Sequence, residues 1–164
     1  QIKLMESKGK LFQYTDNKKV ENILSQYPDN RSATLPLLHL AQAQLGYIST
    51  GAINAVAKLT ETHPAELMDC VSFYSMFYLC PQGKYKLQVC QTLSCSLNGA
   101  DKIVDHISKK YKIKPGETST DGKFTLMKVE CLGSCGTAPV VQINNDYHEG
   151  LTIPELDELL ENVQ

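Results

Sequence analysis

The sequence carries almost no surplus charge. Its 16 Lys and Arg residues stand against 18 Asp and Glu, a formal net charge of -2. A nucleic-acid binder would show a basic face or stripe, and none is present. The densest basic run, Lys109, Lys110 and Lys112 around Tyr111, ends a predicted helix, where the helix dipole favours cations. No run of 18 apolar residues exists, so no segment is expected to cross a membrane as a helix. The first ten residues, QIKLMESKGK, lack the apolar stretch of a signal peptide. The expectation is a soluble, intracellular protein, cytoplasmic or peripheral on the cytoplasmic face of an inner membrane within a complex. No G-x-G-x-x-G follows a strand, so dinucleotide binding by this chain is not expected. A P-loop is missing too, as is a nucleophile with a positioned base. No catalytic residue is assigned.

A chain of 164 residues buries roughly 70% of its unfolded surface. It needs neither metal nor disulfide merely to fold, so any cofactor requires a functional reason. The pattern changes near residue 81. Residues 1–80 read as a small helical bundle. Val20, Ile23, Leu24 and Tyr27 have helical spacing before Pro28. Leu37, Leu38, Leu40, Ala41 and Leu45 supply a second apolar face, closed by Gly46. A third helix runs through Ile53, Val56, Ala57 and Leu59, and a fourth opens at His63–Pro64, with proline in the first turn. Residues 81–164 alternate. The stretch KYKLQVCQT reads as a strand, LNGADKIVDHISKKYK as a helix, and Phe124 to Val129 as a second strand. Residues 138–143 and a short strand around Tyr147 form a hairpin about Asn144–Asn145, and LTIPELDELLENV closes the chain as a helix. The order β-α-β-β-β-α predicts an α/β domain.

Six cysteines stand at 70, 80, 90, 95, 131 and 135. Four of them form two close pairs, C-x4-C in CQTLSC and C-x3-C in CLGSC. Each pair follows a predicted strand. If the two strand ends share one sheet edge, Cys90, Cys95, Cys131 and Cys135 converge. Two irons with two thiolates each suit two short loops, which favours a [2Fe–2S] cluster. Structural zinc also takes four cysteines, though usually at tighter spacing. A zinc-stapled interaction module and a thiol-redox protein therefore stay open, although a thioredoxin-type C-x-x-C is absent. Cys70 sits among Leu67, Val71 and Phe73 and reads as a small buried hydrophobe; Cys80 receives no role. His39, His63, His106 and His148 lack paired spacing and read as surface or capping residues. Phe73, Tyr74, Met76, Phe77 and Tyr78 read as core or subunit contact. Pro139 fits a cis or a trans peptide equally.

With these residues in view, the chain resembles the thioredoxin-like [2Fe–2S] subunit of the NADH-dehydrogenase module of respiratory complex I. Related subunits occur in NAD-linked hydrogenases and formate dehydrogenases. RSATLPLLHLAQAQLGYIS and VSFYSMF match the helical half, while GKYKLQVCQTLSCSLNGA, KPGETSTDGKFTL and VECLGSCGTAPVVQIN match the cluster-binding half. The resemblance implies a helical bundle followed by a thioredoxin-like domain, with Cys90, Cys95, Cys131 and Cys135 as the four ligands. It also implies one-electron transfer and docking to a flavoprotein subunit that holds FMN and NADH, alongside further iron–sulfur subunits. The helical half is the candidate docking element; its simpler role is to cap the sheet domain.

Overall fold

The computed structural model describes residues 17–163. They divide into two compact units between Pro81 and Gln82.

The first unit is helical. Helix α1 spans Asn17–Ser25, α2 Thr34–Leu45, α3 Thr50–Thr60 and α4 Pro64–Phe73. Helix α1 stops before Tyr27 and Pro28, earlier than its apolar spacing suggests, and a 3-10 turn over Asn30–Ala33 leads into α2. Asp29 caps that turn, accepting from Ser32 N at 2.9 Å. Pro36 lies in the first turn of α2, and Gly46 closes it with φ 78°. Ser49 caps α3, accepting from Ala52 N at 3.1 Å. His63 caps α4 through its ring nitrogen, which accepts from Ala65 N at 3.2 Å. Val20, Leu37, Leu38, Ala41, Ile53, Val56, Leu67, Val71 and Phe77 make the core of this unit. Cys70 is half-buried against that core.

The second unit holds strands β1 (Tyr85–Cys90), β2 (Phe124–Val129), β3 (Val140–Ile143) and β4 (Asp146–Glu149). The sheet order is β2-β1-β3-β4. Strands β1 and β2 run parallel, with Cys90 opposite Val129, while β1–β3 and β3–β4 are antiparallel. A parallel pair requires a crossover. Two helices make it: α5 (Leu93–Leu97) and α6 (Ala100–Tyr111). They are separate because Gly99 takes φ 94°, a left-handed conformation that suits glycine. Helix α6 buries Ile103, Val104 and Ile107, as its 3.6-residue period predicts. Helix α7 (Ile153–Asn162) buries Leu156 and Leu160 behind a capping box of Thr152 and Glu155. Lys110 and His106 of α6 reach Asp157 of α7, each at 2.8 Å. The lysine run thus ends its helix as expected, and one lysine also ties two helices together.

Gly83 precedes β1 where the chain passes closest to β2. Its N–H donates to Thr125 Oγ1 at 2.7 Å, and a Cβ built on Gly83 would stand 2.8 Å from the Phe124 carbonyl carbon. Backbone cannot yield as a flexible side chain does. Gly83→Ala is expected to destabilise this unit by about 1–3 kcal/mol, the usual cost of overpacking. Chemical denaturation would check this. An unchanged midpoint would show that the chain before β1 shifts freely.

Candidate metal centre

The site begins at the carboxyl ends of β1 and β2. Because these strands are parallel and in register, the segments that leave them emerge at one sheet edge. Cys90 is the last residue of β1, and Cys95 lies within α5, directly after it. Cys131 follows β2 by two residues, and Cys135 opens a 3-10 turn over Cys135–Thr137. Gln91 N donates to Val129 O at 2.9 Å, so the two segments stay joined as they leave the sheet. Ser94 Oγ donates to Cys135 O at 2.8 Å and ties the α5 segment to the second cysteine loop.

The sulfurs form two pairs. Cys131 Sγ and Cys135 Sγ are 3.5 Å apart, and the Cys90 and Cys95 thiols are near enough to shift each other's pKa. Cys90 and Cys95 are buried, while Cys131 and Cys135 are exposed. Cys70 and Cys80 lie in the helical unit and are not among these pairs. None of the cysteines is in a disulfide.

Each pair holds one low and one high thiol. For Cys90, burial alone would raise the pKa; hydrogen bonds from the Thr92 hydroxyl, the Thr92 and Leu132 backbone N–H groups and Cys95 outweigh it and leave the thiol lowered. Cys95 is raised by burial and by its bond with Cys90. Cys131 is lowered chiefly by the Gly133 N–H, at 3.4 Å from its sulfur. Cys135 is raised by its bond with Cys131. In each pair one thiol is thus held below the usual range and the other above it; the thiolate is the form that ligates metal.

The residues fit a [2Fe–2S] cluster on three counts. Four thiol donors stand in two pairs, as two irons with two thiolates each require. Backbone N–H groups of Leu132, Gly133 and Val140 are directed at the sulfurs, the partners that a negative cluster needs. Gly133, at φ 86°, leaves open space where a side chain would project, and only a residue tolerant of the left-handed region turns the loop so tightly.

Several residues of the site escape sequence reasoning. Thr92 Oγ1 lies 3.1 Å from Cys90 Sγ. Ser134, beside Cys135, donates to Glu149 of β4 and fastens the second loop to the sheet. The signal for Thr92 is its place inside the C-x4-C segment; nothing in the sequence links Ser134 to Glu149. The Ala138–Pro139 peptide following the loop is cis. The histidines stay apart from the site. His63 caps a helix, His106 pairs with Asp157, exposed His39 lies 4.8 Å from the Phe77 ring, and His148 sits in β4 opposite Val141.

The chain is similar to known proteins. The chain is 46% identical over 164 residues to an NADH-quinone oxidoreductase subunit of Rickettsia typhi, covering 96% of each. It is 45% identical over 144 residues to NADH-quinone oxidoreductase subunit 2 of Thermus thermophilus, covering 86% of this chain and 80% of the relative. Among solved structures, an NAD+-reducing [NiFe]-hydrogenase superposes with a TM-score of 0.69 at 23% identity. That match covers 78% of this chain but 21% of the hydrogenase chain, about a fifth of its length, and shows a shared fold. A family model described as thioredoxin-like [2Fe–2S] ferredoxin matches residues 20–164, which include both cysteine pairs and all but the first three described residues of the helical unit. A [2Fe–2S] cluster is thus the cofactor of this chain, which belongs to the thioredoxin-like [2Fe–2S] ferredoxin family.

Proposed function

We propose that this chain is the electron-transfer subunit of an NADH:quinone oxidoreductase, with its cluster on Cys90, Cys95, Cys131 and Cys135, and that it exchanges electrons with the FMN of a partner flavoprotein. The observation that carries the reading is the placement of two thiol pairs in the segments that leave the adjacent parallel strands β1 and β2, one pair buried and one exposed. A bound [2Fe–2S] cluster supplies one-electron chemistry. The chain supplies what that chemistry needs. Cys90 and Cys95 are buried and would hold the cluster away from water on their side. The N–H groups of Leu132, Gly133 and Val140 offset negative charge on sulfur. Cys131 and Cys135 are exposed and would present the cluster at the surface, within reach of a partner's flavin.

Leu93 and Leu97 flank this outlet. They lie one turn apart on α5, 75% and 78% exposed. Large aliphatic side chains so open to water beside a redox centre suit contact with a partner. The helical unit exposes a further apolar stretch, Phe73, Met76 and Leu79, which this reading assigns to other subunits of the complex. Leu93→Ser with Leu97→Ser is expected to weaken binding of the flavoprotein subunit at least about tenfold, the scale of an interface hot spot. The melting temperature should barely move, because neither side chain is buried. Titration calorimetry and a melting curve separate the two effects.

The experiment for the function itself mixes the anaerobically loaded chain with the purified FMN-containing subunit and NADH. Bleaching of the visible iron–sulfur absorbance is expected only with all three together. A cluster that dithionite reduces, but that NADH and the flavoprotein leave oxidised, would overturn the assigned partner.

A further inference from the structure

Thr92 stands at the N-cap of α5 with φ −74° and ψ 166°. In that extended conformation a threonine hydroxyl ordinarily accepts a backbone N–H of the first helical turn. This one caps nothing: the Thr92 carbonyl starts the helix by accepting from Ser96 N at 2.9 Å, but the side chain makes no cap hydrogen bond. The hydroxyl is turned to Cys90 instead. It lies 3.1 Å from Cys90 Sγ. Thr92 is half-buried and Cys90 is buried, so water is poorly placed to take over the bond.

We propose that Thr92 is a positioning residue for the cluster thiolates, its hydroxyl donating to Cys90 Sγ and raising the midpoint potential of the centre. The inference rests on the reading that Cys90 is a ligand. Between a hydroxyl and a thiol either atom could donate. A ligand cysteine is a thiolate and has no proton to give, so the direction becomes fixed: the Thr92 O–H donates and sulfur accepts. Reduction adds one electron and one negative charge, part of which resides on the thiolate sulfurs. A hydrogen bond to an ionised acceptor strengthens as that charge grows. The bond therefore favours the reduced form, with no proton or ligand leaving. The backbone N–H groups act in the same sense, but they are present whatever the side chains. The Thr92 hydroxyl is set by one codon, which makes it a means of adjusting potential without altering the ligands.

The test is a redox titration of the loaded chain, monitored by EPR, for wild type, Thr92→Val, Thr92→Ala and Thr92→Ser. Iron and sulfide are assayed in each. The valine side chain has nearly the shape of threonine and lacks the donor. At a fixed potential the reduced-to-oxidised ratio is expected to fall about tenfold in Thr92→Val and Thr92→Ala, a shift of about 59 mV to more negative values for a one-electron couple. Thr92→Ser should restore the wild-type midpoint. Equal midpoints in all four proteins would overturn the inference. So would failure of both Thr92→Val and Thr92→Ala to retain iron, since that would make Thr92 a structural requirement. A wild-type chain that holds no iron–sulfur cluster would instead remove the underlying reading, and the iron and sulfide assay distinguishes that case before any titration.

Discussion

Cys90→Ala is expected to produce a folded chain from which iron has been lost, from about two irons per chain in the wild type to nearly none. The argument is one of ligand number. Each iron of a [2Fe–2S] cluster draws two thiolates from the protein, and the sulfurs here come in pairs, with no fifth cysteine in the sheet unit. Cys70 and Cys80 belong to the other unit. Alanine leaves the backbone of β1 undisturbed, so Tyr85–Val89 should keep their register against β2 and β3, and far-UV circular dichroism should be unchanged. The same loss is expected for alanine at Cys95, Cys131 or Cys135. Cys70→Ala and Cys80→Ala should keep their iron and are the controls. Iron and sulfide analysis after anaerobic purification reads the result directly. Full iron in the Cys90→Ala chain would refute the ligand set. One zinc per wild-type chain would replace the electron carrier with a zinc-stapled module.

That candidate ligand set is legible in the sequence because it depends on two short spacings and on two strands with alternating burial. Tyr85, Leu87 and Val89 face inward along β1, so the alternating pattern alone places the end of the strand, and with it Cys90. The parallel pairing of β1 and β2 is also within reach, since the helix of Ile103, Val104 and Ile107 between them is long enough for a crossover. What cannot be read is the region where these signals run out. Helix α5 is five residues long, too short for a period to show. Its leucines, Leu93 and Leu97, point to water, the reverse of what apolar residues suggest. The apolar pattern therefore starts the following helix at Leu97, whereas Gly99 separates two helices. The orientation of Thr92 is hidden for a related reason. A threonine before a helix announces a cap, and its place inside the C-x4-C segment does not reveal that its hydroxyl turns to Cys90 Sγ instead. The link between Ser134 and Glu149 is hidden as well, a bond across 15 positions made only once β3 and β4 are folded. Sequence periodicity reports which face of an element is buried; it does not report which polar groups meet when loops converge.

The second large effect lies at the opposite end of the same strand pair. Phe124 begins β2, is 1% exposed, and has its ring 4.6 Å from the ring of Tyr111 at the end of α6 and 5.9 Å from that of Tyr85 at the start of β1. Its backbone is committed as well: its N–H donates to Ser119 Oγ at 2.9 Å, and its carbonyl accepts from Ser119 N at 2.7 Å. Phe124→Ala removes the ring from between one helix and two strands while these backbone bonds hold the walls apart. The cavity should therefore collapse little, and the cost is expected at about 3–5 kcal/mol. That is a large share of the roughly 5–15 kcal/mol that keeps a domain folded. For a unit of this size each kcal/mol moves the melting temperature by roughly 4–8 °C, so a fall well above about 10 °C is expected. Phe73→Ala is the matched control. Its ring is 80% exposed, and its loss should change stability by no more than about 0.5 kcal/mol. The measurement belongs on the iron-free chain, because a bound cluster stabilises the folded state by mass action and would mask part of the difference. Loaded protein then answers a separate question. Both cysteine loops hang from the far ends of β1 and β2, so a loosened β2 should release iron faster on dialysis with all four cysteines intact. Iron loss with the fold preserved in Cys90→Ala, and iron loss together with lowered stability in Phe124→Ala, would separate the ligands from the scaffold that brings them together. A melting shift in Phe124→Ala no larger than that of Phe73→Ala would mean that β2 is held by its backbone pairing alone.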